Sequence, residues 1–524
     1  MTARDRVAFA WPLLVGAALR MYALPDQILV DDEWHLVHRL RDGASLAGLV
    51  GDFGGNDHSI GLGACAWLLM RIVTLDETLL RLPSLLAGLA LPMVVPTAVA
   101  RRAGRPTAVV LAWMLAVSPL LIFFSRLARP YAITTLLACV AFLAMRRWLD
   151  DRDGRARGVY VASAVLAPVF HLPALPAVLA PLALPFAAPG ARRPALREIG
   201  GLTVSTLAAI AAVLAVPAWR SGAGVAARVA TDHLGLATVP RVLELLTGSG
   251  SPPAVAMFGV LGIAGLVAIH GRDATLARQL LVVVGLHVAA VVASGAVQLH
   301  VPVVAARYAA VVLPLALVFP AAGVAAIADR AGLRSPTLAG AGAAGALLAL
   351  GPLGWIYAGS NAFTNHMSYQ ADYVPDRGYA DRYRPDAVAW FYDELARRPR
   401  GTVTIVEAPW HYYFHSYAWL QRHHRQHVLI GFVDDGPPPV RDGEIAARDP
   451  GIRLRNAVHV GDRAALRARG VDYVLMHRDP RSEVRWPKGV DEVAVDMTGW
   501  EARYREWFGA PIADDGRIVV FAVR

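Results

Sequence analysis

Residues 30–39 read Val30-Asp31-Asp32-Glu33-Trp34-His35-Leu36-Val37-His38-Arg39, directly after an apolar run over residues 7–24. At 1.5 Å rise per residue that run reaches about 27 Å, enough to cross a bilayer. Three consecutive carboxylates, two histidines and an arginine therefore sit at the mouth of a membrane span. An ionisable group in a bilayer costs roughly 2.5–3.5 kcal/mol at a helix centre, so such groups beside a span usually serve a function. The plain reading is a solvated loop end whose acids pair with Arg39. The density of the cluster favours acid–base chemistry at a membrane surface instead. If the segment is helical, Asp31 shares a face with His35, and Asp32 shares one with His35 and Arg39. The first pair reads as a base held by an imidazole, the second as a carboxylate steadied by cations.

The rest of the chain fits that beginning. Of its 524 residues 56% are hydrophobic and 18% charged, and the mean hydropathy is +0.43. This excludes an ordinary soluble enzyme and indicates a polytopic α-helical membrane protein. A formal charge of +10 would suggest nucleic acid in a soluble chain. Here the arginines collect in short loops between apolar runs, and no nucleic-acid partner is expected. Cys65 and Cys139 lie in apolar stretches and make neither a disulfide framework nor a metal set. Arg4 and Arg6 precede the first run and no small-residue cleavage site follows it, so the run is expected to stay as an anchor. Its Arg20 is expected to snorkel to the interface.

About eleven spans are expected, over residues 7–24, 79–100, 106–124, 131–145, 159–170, 174–188, 199–217, 255–269, 280–296, 308–327 and 338–357. The helix at 60–73 reads as interfacial. With a cytoplasmic N-terminus, the loops carrying Arg101, Arg102 and Arg105, then Arg146 and Arg147, Arg192 and Arg193, Arg272, and Arg330 all fall inside, as the positive-inside rule requires. The loop 25–78, Arg126 and Arg129, His171, the loop 218–253, and His300 with Arg307 then fall outside. So does the C-terminal segment. Alanine- and arginine-rich usage suits a GC-rich bacterium, whose inner membrane is the expected site. Residues 1–357 are expected to form the transmembrane domain and 358–524 an outer soluble α/β domain. Its apolar strands are expected at 402–406, 428–432, 473–476 and 518–523, with a helix over 410–427.

On the outer side, acids sit in one loop and cations in several. Arg126 and Arg129 flank a turn, and His300 precedes Arg307 by seven residues. Any one of these arginines reads equally well as a lipid-headgroup anchor. Together they suit a phosphate, which arginine binds bidentately. Acid on one side and a phosphate clamp on the other suit transfer of a phosphate-activated group. Histidines 411, 415, 423, 424 and 427 form a second cluster among aromatic residues. His411 and His415 are spaced for zinc on a helix, yet no glutamate follows His411 and no complete ligand set stands out. No metal site is expected, and an aromatic helix facing membrane or acceptor is the preferred reading.

Asp32-Glu33-Trp34-His35 resembles the Asp-Glu-x-His signature of protein O-mannosyltransferases. Arg81-Leu82-Pro83-Ser84, the segment from Ser118-Pro119 to Ser125-Arg126-Leu127-Ala128-Arg129-Pro130-Tyr131, and Arg307-Tyr308 before Val311-Val312-Leu313-Pro314 resemble recurrent segments of the same superfamily. That superfamily is the GT-C fold of integral membrane glycosyltransferases, which includes the aminoarabinose transferase of lipid A. The resemblance covers roughly residues 7–330. Asp57-His58-Ser59 stands where many relatives have His-Pro-Pro, and the C-terminal domain is not assigned to a relative. The resemblance implies a GT-C-like transmembrane domain using a sugar on a polyprenyl phosphate, with a lipid, glycan or protein as acceptor and no cofactor. It implies that Asp32 is the general base of an inverting displacement, with Glu33 and His35 beside it. Asp31 or Glu33 are alternatives, since neighbouring carboxylates titrate as a coupled set. Arg126, Arg129 and Arg307, with His300 and His171 as neighbours, are the candidates to neutralise the leaving phosphate. Asp31, Asp57 and His58 are candidate acceptor or loop contacts. Two other classes compete: a transporter or flippase of a lipid-linked substrate, and an inactive relative that binds lipid. Against the first, the strong charges lie in loops and not at mid-span.

Overall fold

The structure is a computed structural model, and it describes residues 3–27, 29, 33–40, 44–53, 59–187, 196–227, 229–249, 251–296, 298–333, 335–351, 353, 388–409, 420–421, 423–433, 451–478 and 499–523. The helices are α1 (Ala3–Met21), α2 (Glu33–Leu40), α3 (Leu46–Val50), α4 (Ile60–Met70), α5 (Glu77–Ala103), α6 (Arg105–Val117), α7 (Pro119–Ser125), α8 (Tyr131–Asp151) and α9 (Gly154–Phe170). There follow α10 (Leu175–Leu179), α11 (Leu196–Ala226), α12 (Val239–Thr247), α13 (Pro252–Arg272), α14 (Ala274–Ser294), α15 (Pro302–Ala309), α16 (Leu313–Ala316), α17 (Val318–Arg330) and α18 (Pro336–Leu350). The C-terminal part adds α19 (Trp390–Arg397), α20 (Arg463–Ala468) and α21 (Trp500–Phe508). The chain divides into two compact units. The first comprises Met1–Tyr22, Ala44–Cys65 and Arg81–Pro352, and the second Ala23–Gly43, Ala66–Leu80 and Leu353–Arg524. Two pieces of the loop 25–78 thus fold with the C-terminal residues.

By length and apolar composition α5, α8, α11, α13 and α14 can each cross a membrane. The bent pairs α6–α7, at 57°, and α15–α17, at 41°, raise the number from five to as many as seven. Shorter apolar helices run over Ala8–Met21, Ile60–Met70, Leu172–Ala187 and Pro336–Leu350. The chain is a multi-pass membrane protein. Two of the expected runs are interrupted at proline. The run at 106–124 breaks between Val117 and Pro119, because proline lacks the N–H that would bond the carbonyl four residues back. The run at 174–188 is α10 followed by a 3-10 segment over Ala180–Ala187 that contains Pro185. The segment 218–253, expected as a loop, instead continues α11 to Ala226 and adds α12.

In the first unit the break at Pro119 is repaired by Arg20. This side chain was expected to snorkel; it is instead fully buried, donating through Nη1 to the Ala116 carbonyl at 2.9 Å and through Nη2 to the Leu115 carbonyl at 3.0 Å. Leu115 is the residue four before Pro119, so Arg20 supplies the donor that proline lacks. Its Nη1 also reaches Gly16 O at 3.0 Å within α1. Close helix approaches rest on missing side chains. A Cβ on Gly265 of α13 would lie 1.7 Å from Phe319 O of α17, and one on Gly323 of α17 would lie 2.1 Å from Leu261 O of α13. Backbone thus packs on backbone in both directions, the small-residue contact that holds helices together where no hydrophobic force operates between them.

In the second unit the sheet has the order β3-β2-β1-β4-β6-β5. Its strands are β1 (Thr404–Ala408), β2 (His427–Phe432), β3 (Ala457–His459), β4 (Tyr473–His477), β5 (Ala513–Asp514) and β6 (Ile518–Ala522). β1, β2, β3 and β4 run parallel, while β6 is antiparallel to β4 and to β5. All four expected strands are present, shifted by up to two residues, and β3 and β5 are additions. Alternation sorts the faces. Val406, Ala408, Val474, Met476, Val519 and Phe521 pack with Trp500 and Tyr504 of α21. Of the helix expected at 410–427, the described residues 420, 421, 423 and 424 are helical, and β2 begins at His427.

Gly88 of α5 offers a test of the packing around the break. A Cβ there would stand 2.2 Å from the Ser125 Cβ. Gly88→Ala should lower stability by about 1–3 kcal/mol, the usual cost of overpacking. Ser125→Gly should restore part of the loss, and thermal melts of the two single variants and the double variant in detergent measure that coupling.

Candidate functional site

The turn between α7 and α8 is fixed by three contacts. Ser125 Oγ donates to Ile122 O at 2.7 Å, and Ser84 Oγ of α5 donates to Arg129 O at 2.6 Å. Arg126 Nη1 donates to the carbonyls of Leu19, Arg20 and Tyr22 at 3.3, 2.9 and 2.8 Å. These carbonyls end α1 and have no partner within the helix. Arg126, expected to bind phosphate, is therefore a fully buried cap on α1.

Tyr131, the first residue of α8, gathers the other cations. The guanidinium carbons of Arg129 and Arg307 stand 5.8 and 5.6 Å from its ring centroid, and that of Arg307 lies 5.3 Å from the Tyr308 ring. His171 meets the Tyr131 ring edge-on at 5.2 Å and 88°, and stacks on Tyr308 at 5.9 Å and 30°. Arg129, Arg307 and His171 thus surround two tyrosines, although they come from segments far apart in the chain. A guanidinium over a ring gains about 0.5–2 kcal/mol, depending on desolvation. Two cations drawn to one ring repel each other, and an anion between them relieves that repulsion. His300 is engaged elsewhere: its exposed Nδ1 pairs with Asp232, and its carbonyl accepts from Thr238 Oγ1 at 3.0 Å. The bond to His300 holds the Asp232 carboxyl down at about 2.

One contributor was not foreseen. His287 of α14 is fully buried, with Nε2 2.9 Å from the Tyr308 carbonyl, so that nitrogen carries the proton and donates. The signal in the sequence was a lone histidine inside an apolar run.

The acidic stretch belongs to the second unit. Asp31, Asp32, Asp57 and His58 lie outside the described residues, as do His411 and His415. Glu33 opens α2 and is buried, an acid at the positive end of a helix, and His35 is half-buried. Trp34 anchors the helix: its Nε1 donates to Leu29 O at 3.2 Å, and its ring meets Phe432 of β2 edge-on at 6.2 Å. A second tie joins residues 75–78 to the segment before β3. Leu75 and Ile452 form a parallel bridge. The buried Glu77 accepts from the backbone N–H groups of Arg455 and Asn456, both at 2.9 Å. The acidic loop is thus held by the C-terminal sheet.

That sheet carries a buried polar network the sequence did not announce. Glu407 of β1 and His477 of β4 are fully buried, with His477 Nε2 2.6 Å from Glu407 Oε2. Tyr392 of α19 donates to the same carboxylate at 2.9 Å and stacks on His424 at 5.6 Å. Burial, with His423 beside it, pushes the His424 imidazole down to about 3. His423 pairs with Asp393 at 2.7 Å. The histidine cluster is thus divided, and no group of three or more metal-ligating side chains occurs among the described residues.

The sequence profile of the dolichyl-phosphate-mannose-protein mannosyltransferase family matches residues 57–219. That range includes Arg81–Ser84 and the turn to Tyr131, and leaves out the acidic stretch and Arg307. No curated protein matches the chain. Among solved structures, ArnT from Cupriavidus metallidurans bound to undecaprenyl phosphate aligns with TM-score 0.50 at 13% identity, covering 100% of this chain and 99% of that one. The apo form of that ArnT aligns at 0.48 and 13%, covering 99% and 98%. Archaeal oligosaccharyltransferase AglB from Archaeoglobus fulgidus, in complex with an inhibitory peptide and a dolichol-phosphate, aligns at 0.42 and 13%, covering 91% and 69%. The chain has the GT-C fold of integral membrane glycosyltransferases, as the ArnT alignment shows.

Two arginines separate the structural from the chemical contribution of this site. Arg126→Gln removes a donor from three carbonyls and should melt well below wild type, since each buried group left unpaired costs about 1–3 kcal/mol. Arg307→Gln, at a half-buried position, should melt close to wild type while losing affinity for polyprenyl phosphate by about tenfold, one charge-assisted contact. Melting curves and lipid titrations of both variants check the assignment.

Proposed function

We infer that this protein is a glycosyltransferase that moves a sugar from a polyprenyl phosphate to an acceptor at the outer face of a bacterial inner membrane. The observation that carries the reading is the convergence of Arg129 and Arg307 on Tyr131, in a chain with the GT-C fold. The bond that breaks joins the anomeric carbon to the phosphate oxygen, and negative charge grows on that phosphate. Two fixed guanidiniums are suited to meet it, since charges already in place cost no reorganisation as the reaction proceeds. Undecaprenyl phosphate bound to ArnT supports a lipid-borne phosphate here.

On this reading Asp32 takes the proton of the acceptor hydroxyl or amine as it attacks the anomeric carbon from the face opposite the phosphate, which inverts the configuration. Glu33 and His35 set the charge state and orientation of that carboxylate. Arg126 acts indirectly, by holding the turn that bears Arg129. On this reading the N-terminus is cytoplasmic and residues 358–524 lie outside, the orientation that the arginine-dense loops favour.

Release of free polyprenyl phosphate from a synthetic polyprenyl-phosphate sugar reads the transfer whichever acceptor takes the sugar. Asp32→Asn should slow release at least about a hundredfold, the low end for a positioned base, with donor affinity retained. Glu33→Gln should cost less. Wild-type release by Asp32→Asn would remove Asp32 from this role. Lipid movement between leaflets without any release, in wild type, would make the protein a transporter.

A further inference from the structure

A second charged recess lies at the other end of α8. A cleft of about 860 Å³ opens between α5, α8 and α9, lined by five arginines, three aspartates and an apolar wall that includes Val94, Val140, Leu143 and Val159. Tyr131 and Arg146 are fifteen residues apart on α8, about 22 Å at the helical rise, so this is not the site around Tyr131.

Several of its charges are already matched. Arg102 bonds Asp150 and Asp273, each at 2.8 Å, and Arg147 meets Asp153 at 3.1 Å. Arg146 is different. Its side chain is only 8% exposed, and its carboxylate neighbour Asp150, already held by Arg102, stands 3.9 Å away, beyond hydrogen-bond distance. No hydrogen bond reaches the Arg146 guanidinium among the described residues. A nearly buried cation without hydrogen bonds is costly, and an anion in the cleft removes the cost. Arg101 and Arg155, exposed at the rim, add charge that no carboxylate pairs among the described residues.

We propose that this cleft binds a phosphate group, held by Arg146 at its floor and by Arg101 and Arg155 at its rim. Five arginines against the three lining aspartates and Asp273, which Arg102 also bonds, leave an excess of one positive charge, which suits a phosphate monoanion. The apolar wall suits a phosphate borne on a lipid. The charge bias of the loops puts this end at the cytoplasmic leaflet, where anionic phospholipids present that group. A free phosphate offers the same chemistry without the acyl chains.

The test uses the purified full chain, stripped of lipid in detergent and titrated with phosphatidylglycerol, with bound copies counted by native mass spectrometry. Arg146→Gln and Arg155→Gln should each weaken binding about tenfold, one charge-assisted contact. Arg157→Gln removes the same charge from α9 outside the cleft and should bind as wild type. Arg155 is exposed, so its variant remains informative should Arg146→Gln fail to fold. If phosphatidylglycerol is not retained but sodium phosphate raises the melting temperature of wild type and not of Arg155→Gln, the ligand is free phosphate and the site stands. Equal weakening by Arg155→Gln and Arg157→Gln would mean diffuse attraction to a basic surface and would overturn the proposal. So would unchanged binding of both probes by Arg155→Gln.

Discussion

A polypeptide that bends inside a bilayer must find new donors for the carbonyls it exposes, and two buried arginines do this here by exchange. Arg20, near the end of α1, donates to Leu115 and Ala116 at the break caused by Pro119. Arg126, just after the broken helix, donates back to the last carbonyls of α1. Each cation satisfies the other helix's free carbonyls, and both side chains are fully buried from solvent. The turn that presents Arg129 and leads into Tyr131 is the segment this exchange immobilises. Placement of the candidate phosphate ligands therefore follows from a backbone requirement met one helix away.

This also explains what could be read in the sequence. The apolar runs, the arginine-rich loops and the four main strands were legible because their periodicity and composition are local. Arg126, Arg129 and Arg307, with His300 and His171, were grouped because cations expected on the outer side run against the charge bias; Arg129, Arg307 and His171 do meet around Tyr131 and Tyr308, while Arg126 and His300 are engaged elsewhere. The separate tasks of Arg20 and Arg126 were not legible, because a buried arginine bound to carbonyls and one near a headgroup look alike in a sequence. Only the partner tells them apart, and Leu115 lies 95 residues from Arg20. Glu407 and His477 were hidden for a similar reason. Each is the one acid or imidazole in a largely apolar strand, and their pairing depends on β1 and β4 lying side by side in the sheet.

The two units divide the chemistry. Arg129 and Arg307 belong to the first, while Glu33 and His35 belong to the second with the sheet. Of the acidic loop, Glu33–Leu40 and the residues around Glu77 consequently belong with the sheet. Trp34 packs on Phe432, and Glu77 caps two backbone amides before β3, so Glu33 and Glu77 are placed by a domain that composition alone would mark as accessory. The Glu407–His477–Tyr392 network stiffens the middle of that sheet, as a fully satisfied buried network does.

Glu77 and Asn456 are 379 residues apart in sequence, and this has a consequence for biosynthesis. At ribosomal speeds of 5–20 residues per second, Asn456 emerges roughly 20–75 s after Glu77. Through that interval the Glu77 carboxylate and the Leu75 backbone lack the partners that complete them, while the membrane-spanning helices are already being inserted. Leu75 and Glu77 can gain these contacts only after the segment before β3 has been made.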